Sequence, residues 1–175
     1  RWESLRLADN LSPEQRRKAM RAVKGSDTSL ERACDAAFSA RGWVYERNAP
    51  DLPGKPDFVF RELKLIVFAD GDFWHGWRFP LWRDALAPFW QAKIERTRRR
   101  DQRNFRKLRR AGWKVLRVWG RQILRDLPGV VARVAQAIDE LTPRPPAKRS
   151  QGKKRLPDDS RAAVNTKTMR KRKPR

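Results

Sequence analysis

Cysteine, histidine and tyrosine each occur once in this 175-residue chain, as Cys34, His75 and Tyr45. A single thiol excludes a disulfide framework and any zinc cluster built on cysteines, and it fits a reducing compartment. Acidic residues are scarce too: 20 Asp and Glu stand against 43 Lys and Arg, for a net charge of +23. No apolar run approaches the ~20 residues that a membrane-spanning helix needs. The first residues, Arg1-Trp2-Glu3-Ser4-Leu5, lack the basic-then-apolar pattern of a secretory leader. The expected location is cytoplasmic and nucleoid-associated, with no membrane partner.

What is abundant completes the outline. Eight Trp and eight Phe within a 39% hydrophobic composition are too many for a disordered chain, and the length suits one domain. The basic surplus calls for a polyanion, most often nucleic acid. A structural partner of RNA would explain that charge equally well. It would not explain the acids described next.

The one histidine leaves the end of an apolar run. Leu65-Ile66-Val67-Phe68 reads as a buried strand, and Ala69-Asp70-Gly71-Asp72-Phe73-Trp74-His75-Gly76 follows it. Asp57, just after Pro56 at the mouth of another strand, can aim at a metal bound at the sheet's edge. The Ala69 carbonyl and the Asp70 carboxylate arrive nearby. Oxygen donors of this kind suit Mg²⁺. His75 can take a proton from water or give one to a leaving oxygen, and Asp101 can orient its ring. Each has an ordinary alternative: Asp57 as a turn residue, His75 as a structural side chain, Asp101 as a local ion pair among arginines.

Several further residues carry two readings. Glu31 completes a capping box with Thr28 and also belongs with the acids. Phe73 and Trp74, with Met20 on the first helix, are either core or apolar wedges that open a duplex. Arg98, Arg99, Arg100 and Arg103 lie on a long basic helix that either tracks phosphates or is simply solvated.

The spacing predicts a helix from Ser12-Pro13 to about Val23, and another from Thr28 ended by Gly42. Strands follow at 43–47, from Asp57 to Phe60, and at 63–68. A long helix runs from Phe89 to about Ala111, then a strand at 114–119 and a last helix opening at Pro128. That order predicts an α/β fold, with helices on a mixed sheet. Residues 1–11 read as an arm and 12–141 as the folded domain. Residues 142–175 hold thirteen Lys and Arg against two Asp and few apolar side chains, and read as a disordered, phosphate-attracting tail.

Taken together, these stretches resemble the very short patch repair endonucleases, the Vsr family, which nick one strand beside T:G mismatches. The resemblance rests on residues 18–23, on Asp27-Thr28-Ser29-Leu30-Glu31, on Leu52-Pro53-Gly54-Lys55-Pro56-Asp57-Phe58-Val59, on Ile66 to His75, and on Arg100-Asp101 through Trp119. It covers roughly residues 12–125. It implies a restriction-endonuclease-like fold of the PD-(D/E)XK superfamily, with three layers around a mixed central sheet, and Mg²⁺-dependent hydrolysis of one phosphodiester of double-stranded DNA by a monomer. Carried over, Asp57, Ala69 and Asp70 become the metal group. His75, Asp101 and Glu31 complete the catalytic set, and Met20, Phe73 and Trp74 are the wedges.

Three departures bear on these expectations. Ala69-Asp70 stands where familiar members have Thr-His. The residues facing the family's structural zinc are here Asp72, Gly76, Trp77 and Arg121, so no zinc is expected, with Trp77 and Trp82 packing in its place. Finally, Glu31, Asp57, Asp70, His75 and Asp101 also fit the Glu-Asp-x-His-Asp pattern of Vsr-like homing endonucleases, which cut paired sites. A DNA binder that has lost catalysis is the remaining alternative.

Overall fold

The computed structural model describes residues 26–143 together with Ser12, Glu14, Gln15 and Arg17. All of these fall in one compact unit, Arg1–Pro143; a second unit, Arg144–Arg175, lies outside the described residues. At the start, Gln15 N–H donates to Ser12 Oγ at 3.2 Å and Ser12 N–H donates to Gln15 Oε1 at 2.7 Å, the two bonds of the expected capping box.

Helix α1, Ser29–Ser39, opens on a second capping box. Thr28 Oγ1 accepts the Glu31 N–H at 3.3 Å, and Glu31 Oε1 accepts the Thr28 N–H at 3.2 Å. Such a cap contributes about 1 kcal/mol. Gly42, at φ 68°, follows its end, where an L side chain would be strained.

Four strands form one sheet in the order β1 (Glu46–Arg47), β2 (Phe58–Phe60), β3 (Leu65–Asp70), β4 (Lys114–Trp119). The first two pairings are antiparallel and β3 pairs with β4 in parallel. The parallel pair requires a crossover, supplied by helix α2, Pro88–Arg110. Helices α3, Gly120–Arg125, and α4, Leu127–Leu141, complete the described chain.

Strand β3 is buried along its whole length, as its unbroken apolar sequence predicts. Its side chains alternate between two cores. Leu65, Val67 and Ala69 join Cys34 and Phe38 of α1 and Val130 and Val134 of α4. Ile66 and Phe68 join Phe105 and Leu108 of α2. Helices therefore cover both faces of a mixed sheet, the expected α/β arrangement. A third cluster, around Phe79, Trp90 and Ile94, fastens the segment after β3 to the first half of α2.

Strand β2 starts one residue later than expected and α2 one residue earlier, and the boundaries differ in four other places. Only Glu46 and Arg47 of 43–47 pair as a strand; Trp43 and Tyr45 turn their rings onto Phe38 and Phe60 instead. Strand β3 begins and ends two residues later than predicted, so Asp70 belongs to the strand and not to the turn. Helix α3 was not expected, because its Gly120 start carries no cap signal; Gln122 Oε1 accepting the Trp119 N–H does that work. The last helix opens one residue earlier, on Asp126, whose carboxylate accepts the Gly129 N–H at 2.8 Å.

Candidate active site at the carboxyl edge of the sheet

Topology alone brings the acids together. Strands β3 and β4 run parallel, so Asp70 and Trp119 end at one edge and are registered with each other. Strand β2 runs the other way, which brings its amino end and Asp57 to that same edge. Helix α2 packs against the face bearing Ile66 and Phe68. Side chains alternate along a strand, so Asp70 points to that face too, toward Asp101 on α2.

His75 is held from one side of its ring. Its Nδ1 lies 2.7 Å from Asp101 Oδ2 and 3.2 Å from Asp70 Oδ1. Carboxylates accept, so Nδ1 carries a hydrogen, and Nε2 is the ring nitrogen left for proton transfer. Arg117 of β4 closes the group. Its Nε donates to Asp70 Oδ2 and its Nη2 to Asp101 Oδ2 at 3.1 Å. The guanidinium lies 4.2 Å from the Trp119 ring centre and 5.1 Å from that of Phe105, which shields these ion pairs from water. Arg100 adds a bond to Asp101 Oδ1 at 3.1 Å.

The two aspartates titrate in opposite directions. Burial raises Asp70 despite the charges of His75 and Arg117. Burial would also raise Asp101, but the His75 hydrogen bond and charge, then Arg100, hold its carboxyl below the usual 3.8. Asp70, His75 and Asp101 offer ligand atoms within 4.8 Å of one another, close enough to share one metal ion.

Asp57 is different. Its Oδ2 accepts the Ala69 N–H at 2.7 Å. In an extended strand the carbonyl of a residue leaves on the same side as its N–H, so the Ala69 carbonyl emerges beside the Asp57 carboxylate. Burial pushes Asp57 up from 3.8 to about 7; the Ala69 N–H opposes this, and the charges of Glu31 and Asp70 add to it. No lysine or arginine among the described residues pairs with Asp57. A buried carboxylate and a carbonyl with no cation of their own form a donor set that fits a hard divalent ion.

A model of the family "DNA mismatch endonuclease Vsr" matches residues 8–80. The type II nicking enzyme V.NmeDIP of Neisseria meningitidis serogroup C is 40% identical over 136 residues, 74% of this chain and 90% of that protein. The chain belongs to the Vsr family. V.XorIIP of Xanthomonas oryzae, also a type II nicking enzyme, is 37% identical over 76% of this chain and 98% of its own length. The DNA mismatch endonuclease Vsr of Escherichia coli is 34% identical over 69% of this chain and 81% of its own.

Within this Vsr-family chain the other sequence candidates fall in distinct surroundings. Glu31 is buried, and its oxygens accept from Asp27 N–H, Thr28 N–H and Thr28 Oγ1 at 2.9–3.2 Å. It serves the cap while its charge reaches Asp57. Phe73 and Trp74 are half-buried and pack on each other, on Trp90 and, for Phe73, on Trp82. Met20 lies outside the described residues. The basic stripe is not uniform: Arg98 covers the Phe79 ring at 5.3 Å, Arg99 faces Glu95 at 3.7 Å, Arg100 serves Asp101, and Arg103 is exposed.

The segment carrying His75 is fastened to the sheet by side chains. Trp77 packs on Trp119, ring centres 4.9 Å apart, and Arg121 approaches Asp72 through its backbone N–H at 3.3 Å and its Nε at 3.4 Å. Trp82 Nε1 donates to the Trp77 carbonyl at 2.7 Å. The residue that sequence reasoning missed is Arg117. Its signal was an arginine inside the apolar strand Lys114-Val115-Leu116-Arg117-Val118-Trp119, where an unpaired charge is costly.

Proposed function

We propose that this chain is a Mg²⁺-dependent DNA endonuclease that nicks one strand of a duplex at or beside a T:G mismatch, on a restriction-endonuclease-like fold. The observation that carries the catalytic part is the pinning of His75 Nδ1 between Asp101 and Asp70. It leaves Nε2 as the only ring nitrogen able to act on a proton. Asp101 fixes the tautomer and stabilises the imidazolium once it forms. Asp70 braces the same nitrogen at 3.2 Å. Both of its oxygens are engaged, by Arg117 and by His75, so the metal-binding role falls to Asp57 and the Ala69 carbonyl. Mg²⁺ bound there would lower the pKa of a bound water and offset charge on the phosphate. Water adds to phosphorus as its proton passes to Nε2, one P–O ester bond breaks, and the leaving oxygen takes up a proton from solvent while the imidazolium later returns its own.

Mismatch selectivity is supported by family membership and by the relative named a mismatch endonuclease. Other relatives are named nicking enzymes, and cutting of a paired site is the second reading. Phe73 and Trp74 would act as wedges in the first, because a mismatched step is cheaper to unstack.

A single-turnover nicking assay with Mg²⁺ tests this on a T:G duplex, its T:A match and random paired duplexes. Mismatch-selective nicking is expected, lost by at least about 10²-fold in Asp101→Asn and in His75→Ala, with DNA affinity preserved in both. Cutting of paired sites alone would replace the mismatch reading. Firm binding with no cutting under any divalent metal would sink the catalytic assignment.

A further inference from the structure

An open recess of about 320 Å³ lies between α3 and the start of α4, lined by Arg121, Arg125, Arg133, Gln122, Asp126 and Gly129. It sits at the edge that bears the active site, since Arg121 follows Trp119 by two residues and Trp119 is registered with Asp70. Its charge is one-sided. Arg125 and Arg133 are exposed, and neither has a carboxylate within salt-bridge distance among the described residues. The one lining acid, Asp126, is turned to the Gly129 N–H. The Nε of Arg121 is buried and makes no hydrogen bond, although Asp72 lies 3.4 Å away. Arg133 is steadied from within, donating to Gln122 Oε1 at 3.4 Å and to the Arg117 carbonyl at 3.5 Å.

Arg121 is offset by Asp72 at 3.4 Å, while Arg125 and Arg133 leave uncompensated positive charge at the same opening, which an anion would neutralise. Guanidinium forks match the oxygens of a phosphate better than those of water. We propose that this recess binds a backbone phosphate of the DNA, away from the bond that is cut. The inference rests on the reading that DNA is the substrate. Through Arg133 and the Arg117 carbonyl, the recess is joined to the strand that supports His75. A phosphate held there sets the register of the duplex against Nε2 without reading sequence.

The test is the full-length double variant Arg125→Ala, Arg133→Ala, whose exposed positions keep folding risk low; Arg125→Lys, Arg133→Lys serves as the charge-retaining partner. Binding of a T:G duplex is measured against salt, together with the single-turnover nicking rate at saturating DNA. The alanine pair is expected to weaken binding about 10-fold or more and to flatten the log K against log salt slope by about 1–2. The nicking rate at saturating DNA falls as well, by about 3-fold or more, because the duplex is less well registered against Nε2, and the lysine pair recovers most of both affinity and rate. Arg41→Ala, Lys64→Ala removes the same charge elsewhere on the exposed surface and should leave binding nearly unchanged. Equal losses in both alanine pairs, or none at Arg125 and Arg133, would overturn the proposal. A scan of single methylphosphonate linkages locates the contact: one position weakens the wild type and leaves the alanine pair unaffected. If instead inorganic phosphate raises the wild-type Tm, but not the variant's, and DNA binding is equal in both, the recess takes free anions and the proposal fails. The binding readout stands whether or not the DNA is cut, so this failure is distinguishable from failure of the nuclease reading.

Discussion

At the scale of single residues, one nitrogen of His75 touches two aspartates whose titrations move apart, and a third acid beside them sits at about 7. Asp57 is the one with a consequence for stability. Its native pKa lies above the unfolded value near 3.8, so the native state holds the proton more tightly. The stabilising difference is present at low pH and is lost as pH rises from about 4 to about 7. Without metal, Asp57→Asn is therefore expected to melt about 5 °C above the wild type at pH 8 and together with it near pH 4. Added Mg²⁺ should raise only the wild type. A variant less stable than wild type at pH 8 would contradict this account. His75 was legible in the sequence as the lone histidine, Asp57 and Asp70 as acids at strand ends, and Asp101 as an acid amid arginines on a helix. Arg117 was not, since its meaning comes from Asp70 and Asp101, 47 and 16 residues away.

Among the elements, the segment between β3 and α2 decides how well His75 is held. It has two short 3-10 turns, Phe79–Leu81 and Arg83–Ala85, and no long helix or strand. Its rigidity comes from outside. Gly76, at φ 69°, lies so close to α2 that a Cβ there would meet Arg98 Cδ at 2.7 Å and Ile94 Cγ2 at 3.0 Å. Trp77 on Trp119 and Asp72 with Arg121 form the other anchor. Trp77→Ala is expected to cost about 2–3 kcal/mol and to slow single-turnover nicking about 10-fold, because small misplacements of a catalytic group are costly. DNA affinity should remain within about 3-fold, and Trp77→Phe should recover most of the rate. Lower stability with an unchanged rate would make this contact a matter of folding alone. Trp77 and Trp82 were expected to pack in place of a metal. Arg121 was already grouped with Asp72 and Trp77 by the family resemblance, whereas Trp119 as the ring under Trp77 was beyond the sequence, since it arrives from the far side of the α2 crossover.

Across the whole molecule the excess of positive charge sets how DNA is approached. Phosphate contacts release counterions, so affinity should fall steeply with salt, with a log–log slope of about −5 or steeper for the full chain. A shallow slope would mean that few of the 43 Lys and Arg reach phosphates. The periodicity of apolar residues marked the longer helices and the strands β2, β3 and β4, since burial of one face or of both is written into their spacing, but not the short α3. The capping residue Thr28 determined where α1 begins, and Ser12 its bonds to Gln15, because those contacts span only three positions. Composition determined the polyanion partner. Only the tertiary structure decided that β2 runs against β3 while β4 runs with it, which carries Asp57, Asp70 and Trp119 to one edge. It also decided that Asp70, held by Arg117, reaches His75, and that Arg121, Arg125 and Arg133 surround one recess. These are contacts between residues far apart in the chain, and their partners are chosen by packing.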